Sequence, residues 1–214
     1  MVIASKLFLN GFHPGSVYSS IRRHLEGSLE RLQTDHLDIC YLHRLSSTPI
    51  EKVAEAMGRL IDEGLIRGWG LSQADVDIID RAQKVTPLTA IQNIYSMVER
   101  DSEERIIPYC MEHDIGFVPF SPIASGLLSG KITTDTQFER NDDVRSWVPQ
   151  LSRRNIEANQ PIVKLLKEYA QIKDATPARI SLAWMLHKYP ISFRSPDRKT
   201  RNASLKISML QRSC

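Results

Sequence analysis

The 214-residue chain is 42% hydrophobic and 25% charged, an ordinary globular balance, with a formal charge of +3. No apolar run approaches the roughly 20 residues of a membrane span, and the start, MVIASKLFLNGFHPG, lacks the charged head and long apolar core of a secretory signal. Three cysteines, Cys40, Cys110 and Cys214, show neither metal-ligand spacing nor a disulfide framework, so no metal site is expected and the cytoplasm is the default compartment.

The positive charge is local. From Arg194 to Cys214 there are six Lys or Arg and one Asp, a net of +5, so the rest of the chain carries −2. A mildly acidic body with a basic tail gives little support to a nucleic-acid partner, and neither nucleic acid nor membrane is expected as one.

In chain order, short β-rich runs alternate with amphipathic patterns. Candidate strands are Val2–Ser5, Leu37–Leu42, Ile66–Leu71, Thr89–Gln92, Gly116–Phe120 and Ile191–Phe193. Between the first two, Ile21, Leu25, Leu29 and Leu32 recur at helical spacing. Ile50, Val53, Met57, Leu60 and Ile61 do so next, and Gly64 should stop that helix. Val76, Ile79 and Ala82 form a further stripe, as do Ile106, Ile107 and Cys110. The polar segment from Ile132 to Gln160 breaks the alternation and reads as a long loop. Helices over about Pro161–Ile172 and Pro177–His187 follow, each with a proline suited to a first turn. Strand-helix alternation requires a parallel sheet with right-handed crossovers. The length suits one domain, yet is short of the roughly 250 residues of a closed eight-stranded α/β barrel.

The most informative stretch is Leu88 to Lys131. An apolar run ends in two amides, Gln92 and Asn93, and a second, Ile115 to Phe120, gives way to Ser121, Pro122 and a loop of small residues. Polar groups at the exits of buried strands are where parallel α/β sheets keep their chemistry. The wording of this stretch, QNIYSMVERD and then VPFSPIASGLLSGK, resembles the aldo-keto reductase family. It is most similar to the branch with the potassium-channel beta subunits and bacterial general-stress reductases. VIASK (Val2–Lys6), LEGSLERLQTDHLDICYLHR (Leu25–Arg44), LIRGWGLSQ (Leu65–Gln73) and ATPARISLAWML (Ala175–Leu186) extend the resemblance in order.

The resemblance implies an α/β fold, an incomplete TIM (β/α)8 barrel lacking the first two strands, over residues 1–193. It implies NADPH-dependent reduction of a small-molecule aldehyde or ketone by hydride transfer. Lys6 matches the lysine that lowers the pKa of a tyrosine proton donor, and His43 the histidine that orients the carbonyl. Gln92, and Ser72 with Gln73, match the groups that hold the nicotinamide carboxamide, Gln73 standing where Asn is usual. Phe120 matches the aromatic that stacks on the nicotinamide ring. Ser121, Ile123, Ser125 and Lys131 match the loop lining the pyrophosphate, where N–H groups and a cation suit an anion. The resemblance further implies that the segment after Ile132 folds over the cofactor.

Two departures shape the expected function. The family's catalytic Tyr and Asp precede VIASK, so this stretch is expected to be inactive or impaired, with a non-catalytic NADP-binding or interaction protein of the channel-subunit type as the alternative. Tyr41 shares a strand face with His43 but should lie deeper, and is not promoted in its place. At the other end, FRSPDRKTRNASLKISMLQRSC replaces the family's adenosine-gripping motif. Synonymous codons exist for Phe193–Gln211 that, read one base earlier, give PIPGSQNAKRITENLDAA, a family-like continuation. Residues 194–214 are therefore expected to be an aberrant, disordered tail. Fewer than eight strands leave unpaired edges, so poor stability is expected too.

Overall fold

The computed structural model describes residues 2–9, 15–138 and 143–188, together with the two-residue strands 193–194 and 204–205. Two units are distinguished: Met1–Asn93 with Glu103–Val118 and Ser192–Lys206, and Ile94–Ser102 with Pro119–Ile191 and Ile207–Cys214.

The first unit carries most of a parallel sheet. Its strands are β1 (Ala4–Leu7), β2 (Ile39–Leu42), β3 (Trp69–Ser72), β4 (Ala90–Ile94) and β5 (Gly116–Phe120), in the spatial order of the sequence. Every residue of β2 and β3 is buried, as expected for parallel strands covered on both faces. At the entry end, Asp38 accepts from the Ile3 N–H at 2.7 Å and from Arg67 at 2.9 Å, joining the starts of β1 to β3. The sheet is parallel, as the alternation requires, and the fold is the incomplete (β/α) barrel that the resemblance implies. Of the six expected strands, five enter this sheet among the described residues.

The helices follow from local chemistry. The helix α1 (Val17–Leu32) begins in a reciprocal cap: the Ser16 hydroxyl accepts from the Ser19 N–H, and the Ser19 hydroxyl accepts from the Ser16 N–H. Ile21, Leu25 and Leu29 are buried as the periodicity requires. Leu32, expected in the same stripe, is 47% exposed. It is the last residue of the helix, which the left-handed Gln33 ends. In α2 (Ile50–Asp62), Ile50, Val53, Met57 and Leu60 are buried, and Gly64 makes the stop with φ +76°. The Asp75 carboxylate caps α3 (Val76–Val85) by accepting from the Ile78 N–H. The short α4 (Ile106–Glu112) buries Ile107 and Cys110.

The second unit packs around Ala124, Leu127, Leu128, Ile132, Leu151, Ile156, Val163 and Leu166. The stretch read as a long loop is partly ordered into 3₁₀ turns at Val144–Trp147 and Pro149–Leu151 and the helix α5 (Arg153–Ala158). Asp143 caps the first turn and Ser152 caps α5. Two apolar anchors, Leu151 and Ile156, are too few to show a period, which is why the pattern concealed them. Then come α6 (Gln160–Ile172), with proline in its first turn, and α7 (Pro177–Lys188).

The expected strand at Ile191–Phe193 fares differently. Ile191 and Ser192 lie outside the described residues, and β6 (Phe193–Arg194) pairs antiparallel with β7 (Ser204–Leu205) in a ribbon of its own. The remainder of 195–214, with the expectation of a disordered tail, lies outside the described residues.

The tightest approach in the sheet is at Gly70. A Cβ there would lie 2.3 Å from the Ala90 carbonyl oxygen and 2.6 Å from Tyr41 Cε1. Backbone cannot give way cheaply, so Gly70→Ala should destabilise the chain by about 3 kcal/mol. Urea unfolding followed by circular dichroism checks this.

Candidate functional site

A single register fixes the rim of the first unit. Leu7 is opposite Leu42, Leu42 opposite Leu71, and Leu71 opposite Ile91. One residue further along, Ser72 is opposite Gln92, and the His43 N–H donates to the Leu7 carbonyl at 2.8 Å. Lys6, inside β1 rather than at its end, lies opposite Tyr41. Because alternate residues share a face, Lys6, Tyr41, His43, Ser72 and Gln92 project to the same side. That is the side on which Ile39, Tyr41, Ala90 and Val118 pack together. Lys6 and His43 are exposed, Ser72 is buried and Gln92 is half-buried.

Tyr41 is unsuited to donate a proton. Burial alone pushes its phenol up to about 12, which makes it a weaker acid than an ordinary tyrosine. Its depth matches its sequence position. The neighbouring Cys40 is an inert core thiol, pushed up to about 12 by the same cause.

Gln73 follows β3 with φ +56°, and its N–H donates to the Gln92 carbonyl at 3.0 Å. Its side chain is exposed. A left-handed backbone is tolerated better by Asn than by Gln, so the departure at this position costs local ease as well as changing reach. Beside it, Asn93 performs a task the sequence did not assign. Its amide donates to the Ala74 carbonyl at 2.9 Å and accepts from the Ala74 N–H at 3.3 Å. The signal was present: two successive amides on a strand face opposite sides, so one of them needed a partner away from the rim.

In the second unit, Phe120 is half-buried at the end of β5, and its carbonyl accepts from the Tyr95 N–H at 3.3 Å. The loop beyond it is contorted. Ser121, Ala124 and Ser125 have φ of +54°, +49° and +53°. The Ser121 hydroxyl accepts from the Ser125 N–H at 3.2 Å, and the two hydroxyls lie 3.1 Å apart. The Ser125 N–H is thus engaged, contrary to a cradle built of backbone donors alone. One hydroxyl must donate within the pair, and the other keeps its proton for an outside acceptor. Ile123 packs against the apolar cluster and holds the loop down, while Lys131 is exposed. Among the described residues no cluster of His, Cys, Asp or Glu could hold a metal ion, and no helix is long and apolar enough to cross a membrane.

Comparisons with known proteins agree on one kinship. A sequence model described as the Aldo/keto reductase family matches residues 1–204. A probable aldo-keto reductase 1 of Glycine max is 36% identical over 169 residues, covering 78% of this chain and 48% of the relative. Among solved structures, the glycerol dehydrogenase of Gluconobacter oxydans is similar with a TM-score of 0.78 and 28% identity, over 89% of this chain and 61% of that one. An aldo/keto reductase from Klebsiella pneumoniae in complex with NADP and acetate has a TM-score of 0.62 and 28% identity, over 86% of this chain and 55% of that one. The chain therefore spans about half the length of the curated relative it matches.

Asn93→Leu should be costly. It strands a buried donor and acceptor on Ala74, and a loss of about 2–4 kcal/mol follows from two unsatisfied groups. Thermal melting of the variant, with a lowered midpoint, is the check.

Proposed function

This chain belongs to the aldo/keto reductase family, and from that premise we propose that it is the greater part of an NADPH-dependent oxidoreductase acting on small aldehydes or ketones. The observation that carries the reading is the register. It sets Lys6, His43, Ser72 and Gln92 on one face of four adjacent parallel strands, with Lys6 one pair below the others, and the C-terminal side of such sheets is where catalytic groups gather.

The residues suit the nicotinamide cofactor. Gln92 and Ser72 offer an amide and a hydroxyl at the rim for a carboxamide, with Gln73 as a longer third group. Phe120 supplies a flat face. Ser121, Ile123, Ser125 and Lys131 supply a pinned loop, a free hydroxyl proton and a cation for a diphosphate. When bound, the cofactor supplies the hydride. The chain's own part is electrostatic: the His43 imidazole orients a carbonyl oxygen by a hydrogen bond, and the Lys6 ammonium favours the ionised form of a neighbouring phenol.

No tyrosine of the described rim is placed to act as that phenol, since Tyr41 is buried and shifted away from acidity. We therefore assign impaired or absent turnover to this stretch acting alone. The same observation favours a second reading, a non-catalytic NADP-binding protein. Buried thiols at Cys40 and Cys110 suit a reducing cytoplasm.

We assign the barrel portion to residues 1–193 and a tail outside its design to 194–214. The coding DNA tests this directly. It should read as the family motif when taken one base earlier over Phe193–Gln211, and codons incompatible with that reading would end the idea.

For the reductase reading, NADPH titration followed by nicotinamide fluorescence should show weak binding, and Gln92→Ala should weaken it about 5- to 30-fold. Ketone-dependent NADPH oxidation by this stretch alone would refute the impairment. Tight binding without turnover would select the second reading, and failure of NADPH to bind at all would remove both.

A further inference from the structure

The second unit carries a cleft of about 520 Å³ along the first turns of α6, lined by Gln160, Pro161, Val163, Lys164 and Lys167. These described lining residues bring two cations and an amide, and no carboxylate. Among the described residues no ion pair engages Lys164 or Lys167, whereas Arg153, shortly before them in the chain, is paired with Glu157 at 3.3 Å.

The two cations are held in place by their surroundings. Val163 and Leu166 are buried in the apolar cluster, which fixes the face that α6 turns outward. Lys164 and Lys167 stand three residues apart, neighbours on a helix surface at about 5–6 Å between Cβ atoms. The Lys167 stem lies across Gly130, for a Cβ there would come within 2.7 Å of Lys167 Cε and 3.6 Å of its Cγ. Gly130 has φ +73°, so a residue without a side chain both makes the turn and admits the lysine. Packing on that turn restricts Lys167 before any ligand arrives, and less freedom is left to lose on binding. One N–H of the Gln160 amide donates to the Ile156 carbonyl at 3.3 Å, which leaves the other for a ligand.

Cations this close repel each other, and an acceptor set between them relieves the repulsion. A carboxylate brings one charge, whereas a phosphate monoester brings nearly two and three acceptor oxygens. The volume lies within the roughly 300–1,000 Å³ of small-molecule sites, and Pro161 and Val163 line it with apolar surface for an organic body. We propose that this cleft binds the phosphate monoester group of a small organic molecule, with Lys164 and Lys167 on the phosphate oxygens and Gln160 beside them. The site does not depend on the reductase reading, because a simple phosphate ester is titrated without cofactor or turnover.

Nuclear magnetic resonance titration of the chain with phenyl phosphate tests the proposal. Backbone amides over residues 160–167 should shift and saturate. Benzyl alcohol, which has the ring without the charge, should bind at least about 10-fold more weakly. Lys167→Ala should weaken phenyl phosphate about 5-fold, and Lys164→Ala combined with it should abolish saturable binding. Lys173→Ala removes the same charge from the end of the same helix, outside the cleft, and should change nothing. Gly130→Ala keeps every charge but puts a methyl group under the Lys167 stem, and should weaken binding too. A melting midpoint checks that this variant folds, and if it does not, the lysine variants decide. NADPH added to the complex identifies the source: displacement of phenyl phosphate makes the phosphate the cofactor's own, and retention makes it a separate ligand's. Absence of shifts over residues 160–167, equal affinity for benzyl alcohol, or equal loss in Lys173→Ala and Lys167→Ala would each overturn the proposal.

Discussion

One register, from Leu7 through Leu42 and Leu71 to Ile91, decides which residues reach the rim of the sheet. A slip of one residue on any strand would turn its whole set of side chains over. His43 would then face the helices and Leu42 the rim. These four apolar residues are nearly or wholly buried, and each contributes about 1.5–3 kcal/mol by leaving water. Slippage on a single strand would forfeit several such contributions at once. The polar groups are positioned by apolar neighbours one residue away, without needing bonds of their own.

The second unit holds its polar groups differently. Ser121, Ala124 and Ser125 adopt left-handed backbone, which costs of order 1 kcal/mol or more at each non-glycine residue. The apolar cluster offsets that cost. Ala124, Leu127 and Leu128 lie within the same few residues and are buried in it. Strained backbone and buried anchors alternate along one short loop, so the two hydroxyls are held at a fixed spacing by residues buried in the apolar cluster.

Much of this was legible in the sequence, and the limits have physical causes. Strands with near-continuous apolar runs, such as Gly116–Phe120, were read to the residue. The stripes of α1 and α2 were visible because burial on a helix repeats with its turn. Leu32 misled, since periodicity does not reveal where a helix ends and its last residue is less enclosed. The 143–158 segment misled because two anchors make no pattern. At the rim, residue identities came from long family-like motifs, whereas the structural duty of Asn93 did not. That duty depends on which side of a strand each amide takes. The engagement of the Ser125 N–H was equally hidden, because nothing in SPIAS distinguishes a backbone donor that is free from one already satisfied by a nearby hydroxyl.

Thr86 joins three elements with two bonds. Its hydroxyl donates to the Ala54 carbonyl in α2 at 2.7 Å, and its own carbonyl accepts from the Trp69 indole of β3 at 3.2 Å, directly after the end of α3. Gly58 permits the approach, for a Cβ there would come within 2.9 Å of the Thr86 hydroxyl. Such cross-ties make local opening expensive, because freeing one element strands a polar atom on another. The amides of α2, β3 and α3 should accordingly exchange with solvent deuterium as a single cooperative block, rather than fraying helix by helix.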